Sequence, residues 1–243
     1  MHQAIPATPA DLLEDLHIGV EHECKWALPG DGAEDPAAFV EAVLFDGFVT
    51  PTAAPRDYLQ SSLYLDDARG SLAAAGHSLS VVVNSGSAGR TCVVVFKQAV
   101  HRRGWRDGLE LRQRVPHRHV GARLEDPATL PVAHAKSLGL LTGELRPAGT
   151  AVQRRYKCFG RTAAGTEVVG NLDQVDFGDP GGPRTRSWQY RCLEIEVNSP
   201  QPAALADLGR LADRMDRRLG VPRDRTSKSQ LAWAASHGGG TRV

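Results

Sequence analysis

The sequence predicts an α+β fold: an antiparallel β-barrel around a charged lumen, with helices packed on its outside. Three stretches carry that prediction. Residues Gly19 to Trp26 read as a strand in which Glu21, Glu23 and Lys25 share one face, while Val20, His22, Cys24 and Trp26 take the other. Residues Arg191 to Val197 repeat the pattern, with Glu194 and Glu196 on one face and Leu193, Ile195 and Val197 on the opposite one. Between them, Leu79 to Val83 and Arg90 to Lys97 form a hairpin rich in β-branched residues, its loop running from Asn84 to Gly89. A face carrying two carboxylates and an ammonium cannot enter an apolar core, because unpaired buried charge is too costly; it must meet water, a metal or an ionic ligand. Carboxylates two residues apart stand about 7 Å apart along a strand and can hold a divalent cation from two sides. Lys25 adds a compact positive charge for a phosphate oxygen. Two acidic strands with apolar backs close into a barrel, whose inward and outward residues alternate and whose lumen can enclose a ligand.

Composition agrees with a single domain over residues 1–243. A chain of 243 residues buries a substantial core. The 29 basic and 28 acidic residues leave a net charge of +1, so any attraction for an anion has to be local. Cys24, Cys92, Cys158 and Cys192 are widely spaced with no C-x-x-C pair, which reads as reduced structural thiols in a cytoplasmic protein. The chain has no long apolar run to span a membrane. Its aromatic residues do not interleave with a basic stripe, so a nucleic-acid partner has no support. Phosphate-binding loops, dinucleotide fingerprints, G-x-S-x-G elbows and H-E-x-x-H helices are all missing.

Several marks in a fixed order resemble the CYTH, or triphosphate tunnel metalloenzyme, superfamily. They are Glu21-x-Glu23-x-Lys25, then Tyr64-Leu65-Asp66-Asp67 with Leu72 to Leu79, Phe96-Lys97, Arg154-Arg155-Tyr156, Leu172-Asp173, Glu194-Ile195-Glu196, and Ser227-Lys228. The similarity spans residues 18 to 231 approximately, with flexible ends on either side. It implies an eight-stranded antiparallel tunnel in which Glu21, Glu23, Glu194, Glu196 and Asp173 hold Mg²⁺ or Mn²⁺. It further implies that Glu21, Glu23 and Lys25 are catalytic, and that Lys25, Lys97, Arg112, Arg114, Arg154, Arg155 and Lys228 contact a small phosphorylated substrate. At one place the chain departs from the pattern: Ser80 and Val82 stand where such proteins carry two tunnel arginines. Either the phosphate grip lies elsewhere, at Arg90 or the later arginines, or the substrate carries less charge than a triphosphate. Arg114, where the family commonly has a carboxylate, is a second departure.

In chain order, Asp11 to Leu16 reads as a short helical turn. Asp35 and Pro36 are an N-cap and first helical position for a helix carrying Phe39, Val40 and Val43. Pro51 to Pro55 is expected to break the chain before a strand from Leu59 to Asp66. Residues 68 to 75 read as a short helix stopped by Gly76. A strand from Leu109 to Val115 puts Glu110, Arg112 and Arg114 on one face, while Arg102, Arg103 and Arg106 read as a solvated loop. Residues 126 to 145 suit an external helix. The strand from Val152 to Phe159 puts Arg155 with Lys157 and Arg154 with Tyr156; only one pair can face inward, and the resemblance favours Arg155. Glu167 to Val175 is a strand with Asn171 and Asp173 on one face. Ala203 to Leu219 is a helix with Leu205, Leu208, Leu211, Met215 and Leu219 on its inner side. Gly238 to Gly240 begins a flexible tail.

The expected activity is hydrolysis of inorganic tripolyphosphate, a nucleoside triphosphate or thiamine triphosphate, in a monomer or homodimer. An adenylate-cyclase-like reaction, a non-catalytic polyphosphate or anion binder, and a redirected member of the same fold are the alternatives.

Overall fold

The computed structural model describes residues 16–30, 35–86, 89–102, 105–180 and 190–237. Its strands are β1 (Leu16–Ala27), β2 (Val49–Asp66), β3 (Ser78–Gly86), β4 (Gly89–Arg102), β5 (Trp105–Arg114), β6 (Arg146–Thr162), β7 (Glu167–Gly178) and β8 (Tyr190–Val197). They close into an antiparallel barrel in the order β1-β5-β4-β3-β2-β6-β7-β8. In that circle β2 stands opposite β1, and β3 stands opposite β8. The helices are α1 (Pro36–Val43), α2 (Ser71–Ala74), α3 (Val120–Glu125), α4 (Leu130–Ser137), α5 (Pro202–Leu219) and α6 (Lys228–Ser236).

The apolar cores lie outside the barrel wall, as a polar lumen requires. Cys24 and Trp26 of β1 and Leu193, Ile195 and Val197 of β8 pack under Leu208, Leu211 and Met215 of α5. Each such fully buried side chain contributes about 1.5–3 kcal/mol. The indole of Trp26 also donates to Asp216 of α5 at 2.8 Å, which fixes the helix on this wall. A second cluster joins Leu79, Val81, Val94, Phe96 and Leu111 of the barrel to Val132 and Ala135 of α4. All four cysteines are buried free thiols, and among the described residues no helix is long and apolar enough to cross a membrane.

Helix α6 meets the barrel through a close approach to β6. A Cβ at Gly149 would lie 2.6 Å from the Ala232 carbonyl oxygen, so only glycine lets the helix dock there. Ser227 caps α6 by accepting from the Gln230 amide, and Gln230 reciprocates with the Ser227 amide. This box sets the first residue of the helix, Lys228, at the lumen.

Several expectations change. Pro51 to Pro55 does not break the chain: β2 runs through it with register shifts. There β2 pairs only with β6, its pairing to β3 beginning at Leu59, so one side of the strand needs no proline N–H. Strand β5 begins at Trp105 rather than Leu109, and the expected external helix of 126–145 is a single shorter helix, α4, with α3 ending just before that stretch. The expected turn at 11–16 falls almost wholly outside the described residues, as do the tail from Gly238 and most of the loop from Asp179 to Arg186.

Candidate metal and phosphate site in the barrel lumen

The alternation of β1 aims Glu21, Glu23 and Lys25 into a cavity of about 140 Å³ at the barrel axis, and β8 aims Glu194 and Glu196 into the same space. Antiparallel register sets Glu23 directly across from Glu196, and Lys25 across from Glu194. Oxygens of Glu23, Glu194 and Glu196 lie within 4.8 Å of one another. Three convergent carboxylates suit a hard divalent cation such as Mg²⁺ or Mn²⁺. Burial pushes the Glu196 carboxyl up to about 8, helped by the charge of Glu21 and opposed by Lys97, Lys157 and Arg155. A cation bound there would displace that proton. Beside them Asn171 donates its amide to Glu196 at 2.7 Å, while its own carbonyl oxygen is buried without a partner.

The cations of the lumen are mostly paired. Lys97 reaches Glu21 at 2.6 Å and Glu110 at 3.7 Å. Burial alone would raise Glu21, but Lys97, a hydrogen bond with Glu110 and Arg106 hold it at about 2. Glu110 is pushed upward by burial and by Glu21. Arg106 reaches Glu23 at 3.4 Å, and Arg112 lies 3.8 Å from Glu110. Arg155 grips the fully buried Asp173 with two bonds of 2.8 and 2.6 Å and reaches Glu194 at 2.9 Å. Lys228 joins the same two carboxylates at 2.5 and 2.7 Å. These two cations hold Glu194 well below the usual carboxylate range against the upward push of burial. Lys25 donates to the Thr226 carbonyl and lies 3.2 Å from Asp224, which ties β1 to the chain just before α6. Lys157 lines the cavity with no ion pair among the described residues.

The opposite wall is uncharged. Strand β2 presents Tyr58, Gln60, Ser62 and Tyr64, and β3 presents Ser78, Ser80, Val82 and Asn84. Gln153 of β6 donates to Gln60 across the wall at 3.2 Å. The lumen thus carries its charges on β8, β1, β5, β4 and β6 and at the start of α6, while the wall formed by β2 and β3 is neutral.

No protein-family model matches the chain, and no curated protein matches it. Among solved structures, the PH1819 protein of Pyrococcus horikoshii matches over 87% of this chain and 97% of its own, at 16% identity and a TM-score of 0.52. The chain shares that protein's fold, here a closed eight-stranded antiparallel tunnel. HpAC1 of Hippeastrum, an adenylyl cyclase candidate with a dominant triphosphatase activity, matches over 89% of this chain and 96% of its own, at 17% identity and a TM-score of 0.49. An adenylate cyclase candidate of Bacillus halodurans matches over 87% and 95%, at 14% identity and a TM-score of 0.49.

Within the tunnel stand Glu21, Glu23, Lys25, Lys97, Arg112, Arg155, Glu194, Glu196 and Lys228. Asp173 lies behind Arg155 and Lys228, closed off from solvent and paired with both, and its oxygen also lies within 4.8 Å of ligand atoms of Cys192 and Glu194. Two expected substrate contacts fall elsewhere. Arg154 points to the outer surface and pairs with Asp57, because its neighbour Arg155 takes the inward phase opposite Asp173. Arg114 is exposed at the end of β5, outside the cavity lining, although it continues the phase of Glu110 and Arg112. Arg90 is also exposed and takes no part in the lining. Asp66 and Asp67, part of the resemblance, instead accept the backbone amides of α2 and its entry.

Arg106 was missed. Expected in a solvated loop, it lies in the tunnel against Glu23; counting back by twos from Glu110 would have placed it there. Arg103 and the side chain of Arg102 lie outside the described set. Asp224 and the β2 side of the neutral wall were also missed, since the strand around Gln60 to Ser62 is polar on both faces and does not tell which face turns inward.

Proposed function

We propose that this protein is a metal-dependent phosphohydrolase that cleaves a phosphoanhydride inside the tunnel. The observation that carries this reading is the convergence of Glu23, Glu194 and Glu196 within 4.8 Å, ringed by lysines and arginines. An anion binder alone has no use for carboxylates facing its ligand, whereas a divalent ion and a phosphate need both signs of charge together.

Glu23, Glu194 and Glu196 would hold Mg²⁺ or Mn²⁺, with Glu21 flanking them. Bound there, the ion would supply positive charge for the phosphate oxygens. Lys157 and Arg112, the least engaged cations, meet the phosphate first. Lys97 holds Glu21 ionised and Arg106 pairs with Glu23; both lie beside the same space, so they orient the terminal phosphoryl group. Glu110, whose proton affinity burial and Glu21 raise, lines the same space and would accept a proton from the attacking water. Arg155 and Lys228 keep Glu194 charged and fixed. The chain's contribution is positioning and charge stabilisation.

The test is release of phosphate and of pyrophosphate from tripolyphosphate, nucleoside triphosphates and diphosphates, and thiamine triphosphate, with Mg²⁺, with Mn²⁺ and with chelator. Metal-dependent phosphate release supports the reading. Pyrophosphate release from a nucleoside triphosphate alone would replace it with a cyclase, and metal-independent turnover would remove the acidic triad from the mechanism.

A further inference from the structure

The tunnel's walls differ in a way that bears on substrate length. Among the described residues, the cationic side chains lining the lumen number seven, and so do the carboxylates that line it or pair with those cations, Asp173 and Asp224 included. A lumen so balanced gains about two positive charges when it takes one divalent cation. A diphosphate ester carries about three negative charges and a triphosphate ester about four, each terminal phosphoryl group contributing about two. An excess charge in a buried, low-dielectric site is costly. The balance therefore favours the shorter chain.

Geometry points the same way. Phosphoryl groups at the metal site meet Arg112 of β5 and Lys157 of β6, but no cation projects from β2 or β3 themselves. Those strands offer phenols, hydroxyls and amides instead. Asn84, facing the cavity, has a buried carbonyl oxygen without a hydrogen-bond partner. An orphaned acceptor of this kind needs a donor from a ligand or water, and a phosphate at neutral pH has few to give. A hydroxyl or amine does.

Accordingly, we propose that the tunnel takes an organic diphosphate: two phosphoryl groups at the metal site, and an uncharged hydroxyl- or amine-bearing group against Tyr58, Gln60, Ser80 and Asn84. The proposal rests on the phosphohydrolase reading and narrows its substrate. It concerns binding order, which calorimetry reads whether or not the ligand turns over, so its failure and that of the hydrolase reading are separable.

The experiment is isothermal titration of the full chain in excess Mg²⁺ at fixed ionic strength, with inorganic pyrophosphate and inorganic tripolyphosphate as probes. Pyrophosphate should bind at least as tightly as tripolyphosphate. In Ser80→Arg, and separately in Val82→Lys, the added cation on the neutral wall should favour tripolyphosphate by about tenfold relative to the parent. Tripolyphosphate binding more tightly than pyrophosphate to the parent protein overturns the proposal, as does an unchanged order in folded forms of both variants.

Discussion

Glu23 and Glu196 face each other across the β1–β8 ladder, each at most 7% exposed. Like charges directly opposite one another in a sheet are destabilising unless something lies between them. The chain carries this cost, and the Glu196 carboxyl relieves it by holding a proton up to about pH 8.

A pH dependence with a definite sign follows. The folded Glu196 binds its proton more tightly than the unfolded side chain at 4.5. Its contribution to stability is therefore complete below the ordinary carboxylate range and is lost as pH rises through about 8. In chelator, the melting temperature should fall as pH rises from 4.5 to about 8, and Mg²⁺ should flatten that fall by replacing the proton. Differential scanning calorimetry at several pH values checks this; a slope that Mg²⁺ leaves unchanged contradicts it.

Adjacent arginines on β6 should behave in opposite ways. Arg155→Ala strips the fully buried Asp173 of its bidentate partner and should cost about 3–5 kcal/mol. Arg155→Lys should recover little, since one ammonium cannot replace the two-pronged grip. Arg154→Ala removes only an exposed pair with Asp57 and should cost under about 1 kcal/mol, with phosphate binding unaltered. Urea denaturation beside calorimetric titration separates the cases.

Which of these two arginines faces inward was open in the sequence because either phase fits an isolated strand. The pairing of Arg155 with Asp173 on β7 decides it, and that pairing is long-range. The acidic faces of β1 and β8 were legible because period-two alternation is local and their backs are strongly apolar. Arg106 was hidden because the expected strand began only at Leu109, whereas β5 runs back through Gly108 to Trp105. The proline-bearing start of β2 was hidden for a similar reason: proline argues against a strand with neighbours on both sides, but here one side lacks a strand partner. The neutral wall depends on barrel closure, which sets β2 across from β1.

Asp67 should matter for stability and not for the site. Its carboxylate accepts from the Arg69, Ser71 and Thr142 amides and from the Ser71 and Thr142 hydroxyls, against which burial pushes upward without prevailing. Asp67→Ala should cost about 3 kcal/mol through donors left unpaired, while metal and pyrophosphate affinity stay within error in the folded fraction. A selective loss of ligand affinity would place Asp67 in the site after all.

Docking of α6 should be sensitive at Gly149. Alanine there brings a Cβ against the Ala232 carbonyl, so the helix must shift at a cost of about 1–3 kcal/mol. Because α6 begins at Lys228, the same shift should loosen the contacts of Lys228 with Asp173 and Glu194. Denaturation together with pyrophosphate titration reads both effects; full stability with unchanged affinity contradicts the docking role.

The most direct measurement is Mn²⁺ binding to the full chain, followed by electron paramagnetic resonance of the free ion, for the parent and for Glu23→Gln and Glu196→Gln. Each substitution should weaken Mn²⁺ binding by more than about tenfold while the fold, read by circular dichroism, is retained. Unchanged affinity in both folded variants would contradict the assignment of β1 and β8 as the walls of a metal site.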